Sequence, residues 1–132
     1  METRTQISVF LENKPGTLER VAMEIGGAKI NILGFSVSDA IDHAVVRMVV
    51  DDARKAVHLL GEAGMLVLEA DVLELKLTNT PGALAKVAAA LKGAGININY
   101  AYGSNPTGGD GVLYLNTTDP AKARRVLDQI KA

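Results

Sequence analysis

The chain repeats itself. Asn13-Lys-Pro15-Gly16-Thr-Leu18-Glu-Arg-Val21 returns 66 positions later as Asn79-Thr-Pro81-Gly82-Ala-Leu84-Ala-Lys-Val87. From Glu12 to Gly34 the copies share 11 of 23 positions without a gap, ending on Ile30-Asn31-Ile32 and Ile96-Asn97-Ile98. One extra residue in the later loop then aligns Asp52 with Asp119, Lys55 with Lys122 and Ala56 with Ala123. Self-similarity at such a period means one supersecondary unit built twice. The chain therefore divides into residues 1–70 and 71–132, two small domains that must share one plan.

That plan can be read in order. Gln6–Leu11 alternates, with Ile7, Val9 and Leu11 on one face, as a half-buried strand does. Pro15 is expected to open a helix, where its missing N–H costs nothing. Leu18, Val21, Ala22 and Ile25 recur at helical spacing, and Gly26-Gly27 is expected to end the helix. Lys29–Ser38 and Ala44–Val50 read as strands joined by a polar hairpin over Asp39–His43. Asp51 or Asp52 caps a helix to about Ala63, with Ala56, Leu59 and Leu60 inward, and Met65–Ala70 is a fourth strand. The second copy gives strand Val72–Leu77, helix Pro81–Lys92, strands Ile96–Tyr102 and Gly111–Asn116, and helix Pro120–Lys131.

The order βαββαβ with right-handed crossovers gives an α+β ferredoxin-like unit: an antiparallel four-stranded sheet with both helices on one face. The second unit lacks its own last strand, and the exposed edge must be paired or covered. Pairing between units or chains is expected to supply it. Between the repeats, Leu66, Leu68, Ala70 and Val72 share one parity and Leu73, Leu75 and Leu77 the other. A strand on one sheet should not switch faces, so two strands with almost no linker are expected there, holding the domains rigidly side by side.

Composition narrows the function classes. Net charge is −1 and aromatics are 4% of the chain, which argues against a nucleic-acid surface or an anionic membrane. Without cysteine there is no disulfide framework, thiolate metal site or thiol nucleophile. Met1–Gln6 has no apolar core, and no apolar run approaches the roughly 18 residues of a membrane span, so a cytoplasmic protein is expected.

The two Asn-x-Pro-Gly-x-Leu segments, each followed by a helix and an Ile-Asn-Ile, resemble the ACT domain. That family is the amino-acid-sensing module of enzymes such as phosphoglycerate dehydrogenase and aspartate kinase. The resemblance spans essentially the whole chain as two copies, with no catalytic domain. It implies a ligand at the interface between paired units, the turn of one facing the second strand of its neighbour. Carried over by position, the ligand contacts are Asn13, Pro15, Gly16 and Asn31 in the first copy, and Asn79, Pro81, Gly82 and Asn97 in the second. Where the dehydrogenase version has a histidine two positions before the turn asparagine, this chain has Leu11 and Leu77, so serine in particular is not implied.

Chemistry fits that expectation. A free amino acid needs donors for its carboxylate and acceptors for its ammonium. A glycine turn before a helix offers backbone N–H groups, and an asparagine amide offers both donor and acceptor. The plainer reading is that Asn13 and Asn79 start a turn and cap the helix, and that Asn31 and Asn97 finish a helical turn. Elsewhere, the glycine-rich Gly103–Gly111 lacks the lysine and following helix of a phosphate loop and reads as a hairpin tip. His43 and His58 gather too few neighbours for a metal site. Arg47 is placed at an interface, and Tyr100, Tyr102 and Tyr114 either line a pocket or cover the open sheet face.

The function expected is an amino-acid-binding regulatory protein with no catalytic residues, cofactor or metal. It is expected to be a homodimer, signalling to a separately encoded enzyme or regulator. A structural oligomerisation module without ligand is the alternative. A small hydrolase would need an arginine in the first-strand loop, and an RNA binder paired central-strand aromatics. Neither pattern is present.

Overall fold

The computed structural model describes residues 1–39, 43–104 and 110–130. Along the chain lie β1 (Glu2–Glu12), α1 (Thr17–Gly27), β2 (Ile32–Asp39), β3 (His43–Val50), α2 (Ala53–Glu62) and β4 (Leu66–Thr78). The repeat follows as α3 (Ala83–Gly93), β5 (Ile98–Ser104), β6 (Asp110–Thr117) and α4 (Pro120–Gln129). Two compact units divide the chain: Thr5–Ala70, and Asp71–Ala132 together with Met1–Arg4. The hairpin tip expected at Asp39–His43, the centre of Gly103–Gly111 and the end of the last helix fall at least partly outside the described residues.

In the first-repeat unit the strands run in the order β2-β3-β1-β4. β1 and β3 are antiparallel, with Ile7 opposite Met48 and Val9 opposite Val46. Those four side chains face α1 and α2, which contribute Val21 and Ile25, and Ala56 and Leu60, to one core. All eight are at most 1% exposed. Each buried aliphatic side chain contributes about 1.5–3 kcal/mol, so this core is the main force holding the unit together. Asp52, rather than Asp51, caps α2: its carboxylate accepts the Lys55 N–H at 3.1 Å. Strand β2 lies at the sheet edge and leaves Leu33, Phe35 and Val37 about half exposed.

The second-repeat unit has the order β1-β4-β6-β5. Leu73 pairs with Leu115 and Leu75 with Leu113. With Val87, Leu91, Ala123 and Leu127 they form a separate core. Among the described residues the repeat has three strands of its own, and Met1–Arg4 belong to the same unit, beside β4. Met1 packs against this core. Thr3 Oγ1 accepts from Arg124 at 3.3 Å, and the Arg4 guanidinium meets Glu74 at 3.1 Å. So the polar start of the chain, which carries no strand signal before Gln6, is the edge strand of the other repeat.

Several local expectations are corrected. Residues 66–78 form one continuous strand, not two. Val67 packs on the first core, and Leu73, Leu75 and Leu77 on the second, while Val72, of the other parity, is fully buried as well. Of the even-parity residues, Leu66 and Leu68 are 60% and 53% exposed and Val72 is buried. The helices begin at Thr17 and Ala83, because Gly16 and Gly82 sit at φ 91° and 87°, outside the helical region, and leave Pro15 and Pro81 in the turn. The left-handed residue past each helix end is Lys29 or Gly95, not Gly27 or Gly93. Leu18 and Leu84 are 40% and 56% exposed; the buried stripe starts only at Val21 and Val87.

Candidate functional site

Each Asn-x-Pro-Gly turn is closed by its backbone. In the second repeat the Thr80 N–H donates to the Thr78 carbonyl at 2.8 Å and the Ala83 N–H to the Thr80 carbonyl at 3.2 Å. The first repeat does the same with Lys14 on Glu12, 3.1 Å, and Thr17 on Lys14, 3.3 Å. A Cβ on Gly16 or Gly82 would meet nothing within 4 Å, so glycine is required by its positive φ and not by crowding. Neither α1 nor α3 has a side-chain cap, whereas Asp52 and Asp119 cap α2 and α4. The N-cap position of α1 and α3 is thus the glycine, three residues past Asn13 and Asn79. The Thr17 and Ala83 N–H groups are taken up by the turns themselves, and the glycine at each N-cap brings no side chain to the N–H groups that follow.

Beside the second turn lies a cavity of about 640 Å³. Its walls come from β4 (Leu75, Leu77, Thr78), the turn (Thr80, Pro81, Gly82), α3 (Ala83, Lys86, Val87) and the end of α4 (Leu127, Ile130). Lys76 also borders it, but Leu75 and Leu77 take the core-facing parity, which directs the Lys76 side chain to the other face of the strand. Pro81 and Gly82 thus belong to the cavity wall, and Asn79 does not.

The second pair of asparagines lies elsewhere. Asn31 and Asn97 stand just before β2 and β5, not within them, and each is followed by a register shift. Asn31 is gripped by Asp51, whose two oxygens accept from its backbone N–H at 3.1 Å and its side-chain amide at 3.0 Å. Asn97 donates its N–H to Thr118 Oγ1, 3.1 Å, and its amide to Asn99, 3.2 Å; Asn99 in turn donates to Asn116 at 2.8 Å. Asn97 also borders a shallower cavity, about 430 Å³, with Lys92 and Gly95. Asn79 and Asn97 are separated by the 11-residue helix α3, roughly 16 Å at 1.5 Å per residue. Asn13 and Asn31 are separated likewise by α1. A single unit cannot bring both asparagines onto one amino acid.

The other singled-out residues have structural places. Tyr114 is 4% exposed, donates to Glu74 at 2.8 Å and lies against Tyr102, ring centroids 5.4 Å apart. Tyr102, Tyr114 and Glu74 face one another across β5, β6 and β4, so these tyrosines cover the helix-free face. Burial, and then the bond to Glu74, push the Tyr114 phenol up to about 12. Arg47 donates to Ser38 at 3.3 Å across strands. His58 faces Glu62 one helical turn on, at 3.3 Å, and the His43 ring lies 6.5 Å from that of Phe10. Among the described residues no three His, Asp or Glu gather as metal ligands, and no helix is long and apolar enough to cross a membrane.

A βαββαβ unit and a second copy that shares its Pro-Gly turn define a tandem ferredoxin-like protein. The model of the ACT domain pair matches residues 2–131, and the chain belongs to that family. A crystal structure of a Bacteroides thetaiotaomicron protein superposes with a TM-score of 0.92 at 30% identity, covering 98% of this chain and 89% of that one. The ligand-free regulatory subunit of aspartate kinase from Thermus thermophilus has the same fold, with TM-score 0.74, 17% identity and coverage of 100% and 99%. Its Thermus flavus counterpart gives 0.67 at 20% identity, covering 96% and 91%. No curated protein matches the sequence.

Proposed function

We propose that this ACT domain pair is a regulatory sensor that binds a free amino acid at an Asn-x-Pro-Gly turn and passes the signal to a separately encoded enzyme. The observation that carries the reading is the uncapped Gly82 turn opening on the cavity of about 640 Å³, a volume suited to a small molecule. The helix start favours a carboxylate. Asn79, Pro81 and Gly82, with Asn13, Pro15 and Gly16 in the other copy, supply the turn side of the site. Because each helix keeps the turn asparagine from Asn31 or Asn97 of its own unit, the second asparagine is supplied by a neighbouring ACT unit. We take the chain to act as a homodimer, which the half-exposed apolar edge of β2 supports. The likeness to aspartate kinase regulatory subunits supports a regulatory rather than a catalytic part.

Isothermal titration with each of the twenty amino acids tests this. At least one binds, and Asn79→Ala and Asn97→Ala each weaken it by about tenfold, the loss of one or two hydrogen bonds. Silence from all twenty by a folded protein overturns the sensor and leaves a structural pairing module.

A further inference from the structure

The two copies of the turn are not equivalent, and the difference lies in what closes them. In the first repeat three side-chain contacts do so. Lys14 pairs with Glu12 at 3.2 Å, the Thr17 hydroxyl donates to the Glu12 carbonyl at 2.6 Å, and Arg20 reaches across from α1 to the Ala63 carbonyl past the end of α2, 3.2 Å. The corresponding residues in the second repeat are Thr78, Thr80, Ala83, Lys86 and Ile130. There the ion pair has become two threonines and the hydroxyl a methyl group. The basic residue, a lysine about one bond shorter in reach than arginine, borders an open cavity. Lys86 has no ion pair among the described residues. The asparagines follow the same division: Asn31 is held by the Asp51 carboxylate, while Asn97 bonds neutral Thr118 and Asn99.

Resting on the sensor reading above, we propose that only the second repeat carries a working ligand site, and that it takes a small carboxylate with an aliphatic body. The Lys86 ammonium holds the charge, and Leu75, Leu77, Val87, Leu127 and Ile130 enclose the chain. The lining includes no Asp or Glu among the described residues. A ligand with a second carboxylate would have to bury it against aliphatic walls, which is costly without a partner. Among the described lining residues an α-ammonium finds no carboxylate, only neutral acceptors such as the hydroxyls of Thr78 and Thr80, so a 2-oxo acid binds at least as well as the amino acid of the same skeleton.

Calorimetry on the full chain with leucine, 4-methyl-2-oxopentanoate and aspartate tests this. The oxo acid binds at least as tightly as leucine, and aspartate at least about tenfold more weakly. Lys86→Gln weakens the aliphatic ligands by about tenfold, the value of one charge-assisted bond. Arg20→Gln, its counterpart in the closed repeat, leaves their affinity unchanged. Binding that survives Lys86→Gln, falls with Arg20→Gln or favours aspartate overturns the inference while the sensor stands. If another amino acid binds and these three ligands do not, the result is the same. If none of the twenty amino acids and no oxo acid binds, both fall.

Discussion

Lys29 and Gly95 occupy the same place in the two repeats and do the same job: each sits at positive φ, 60° and 72°, where the chain leaves a helix. In both copies the next residue turns its N–H back to the helix, Ile30 to Ile25 at 3.2 Å and Ile96 to Leu91 at 2.9 Å. A left-handed conformation costs a residue with a Cβ about 1–2 kcal/mol, and glycine loses about 0.5–1 kcal/mol more backbone entropy on folding. Lys29→Gly is therefore expected to raise stability by up to about 1 kcal/mol, and Gly95→Lys to lower it by a similar amount, both read from urea unfolding. A loss in the first variant would show that the lysine compensates through contacts of its own. The repeat made the asparagines visible because they recur between isoleucines. It hid the helix stop, because glycines stand at 26, 27 and 93 as well, and only the backbone angle tells a permitted glycine from a required one.

At the scale of elements, the strands of the second repeat are tied by polar groups on the face the helices do not cover. Arg4 on β1, Glu74 on β4 and Tyr114 on β6 form one chain of contacts, at 3.1 and 2.8 Å. Glu74 raises the Arg4 guanidinium above its ordinary pKa by accepting its hydrogen bond, so that partner stays charged. Tyr114 titrates at about 12 in the folded chain against 10 unfolded. The folded value is the higher one, so the folded state keeps the phenol proton longer. The stabilisation is complete below pH 10 and is lost as pH rises towards 12, by about 2 kcal/mol. Unfolding measured between pH 8 and 12 is expected to show that loss, and Tyr114→Phe to remove much of it; an unchanged slope in the variant would assign the loss to other groups. Nothing in the sequence marked Glu74 as buried, since an acid between Leu73 and Leu75 reads as the solvent side of an alternating strand. The cavity was equally hidden: Arg20 over Lys86 and Thr17 over Ala83 align as mild replacements, and only the bonds of Arg20 to the Ala63 carbonyl and of Thr17 to the Glu12 carbonyl separate a closed turn from an open one.

At the scale of the whole chain, the duplication is not two self-sufficient halves. The unit built on residues 71–130 takes its edge strand from Met1–Arg4. Removing residues 1–4 takes Met1 from the second core, the Thr3 contact from Arg124 and the counter-ion from Glu74, which is 8% exposed. Stripping the partner from a buried charge costs about 3–5 kcal/mol, and the freed edge of β4 exposes unpaired backbone groups to other chains. Hydrogen exchange on the shortened chain is expected to show the damage on one side only. Amides of residues 71–78 and of β6 lose protection, while those of β3, whose partners all lie in the first-repeat unit, keep theirs. The shortened protein should also self-associate in light scattering, and Arg4→Met in the full chain should reproduce the loss of stability without the association, because it keeps the strand and removes only the charge. Equal protection in both repeats after the deletion would mean that the first four residues merely lie on the sheet and that the second repeat folds without them.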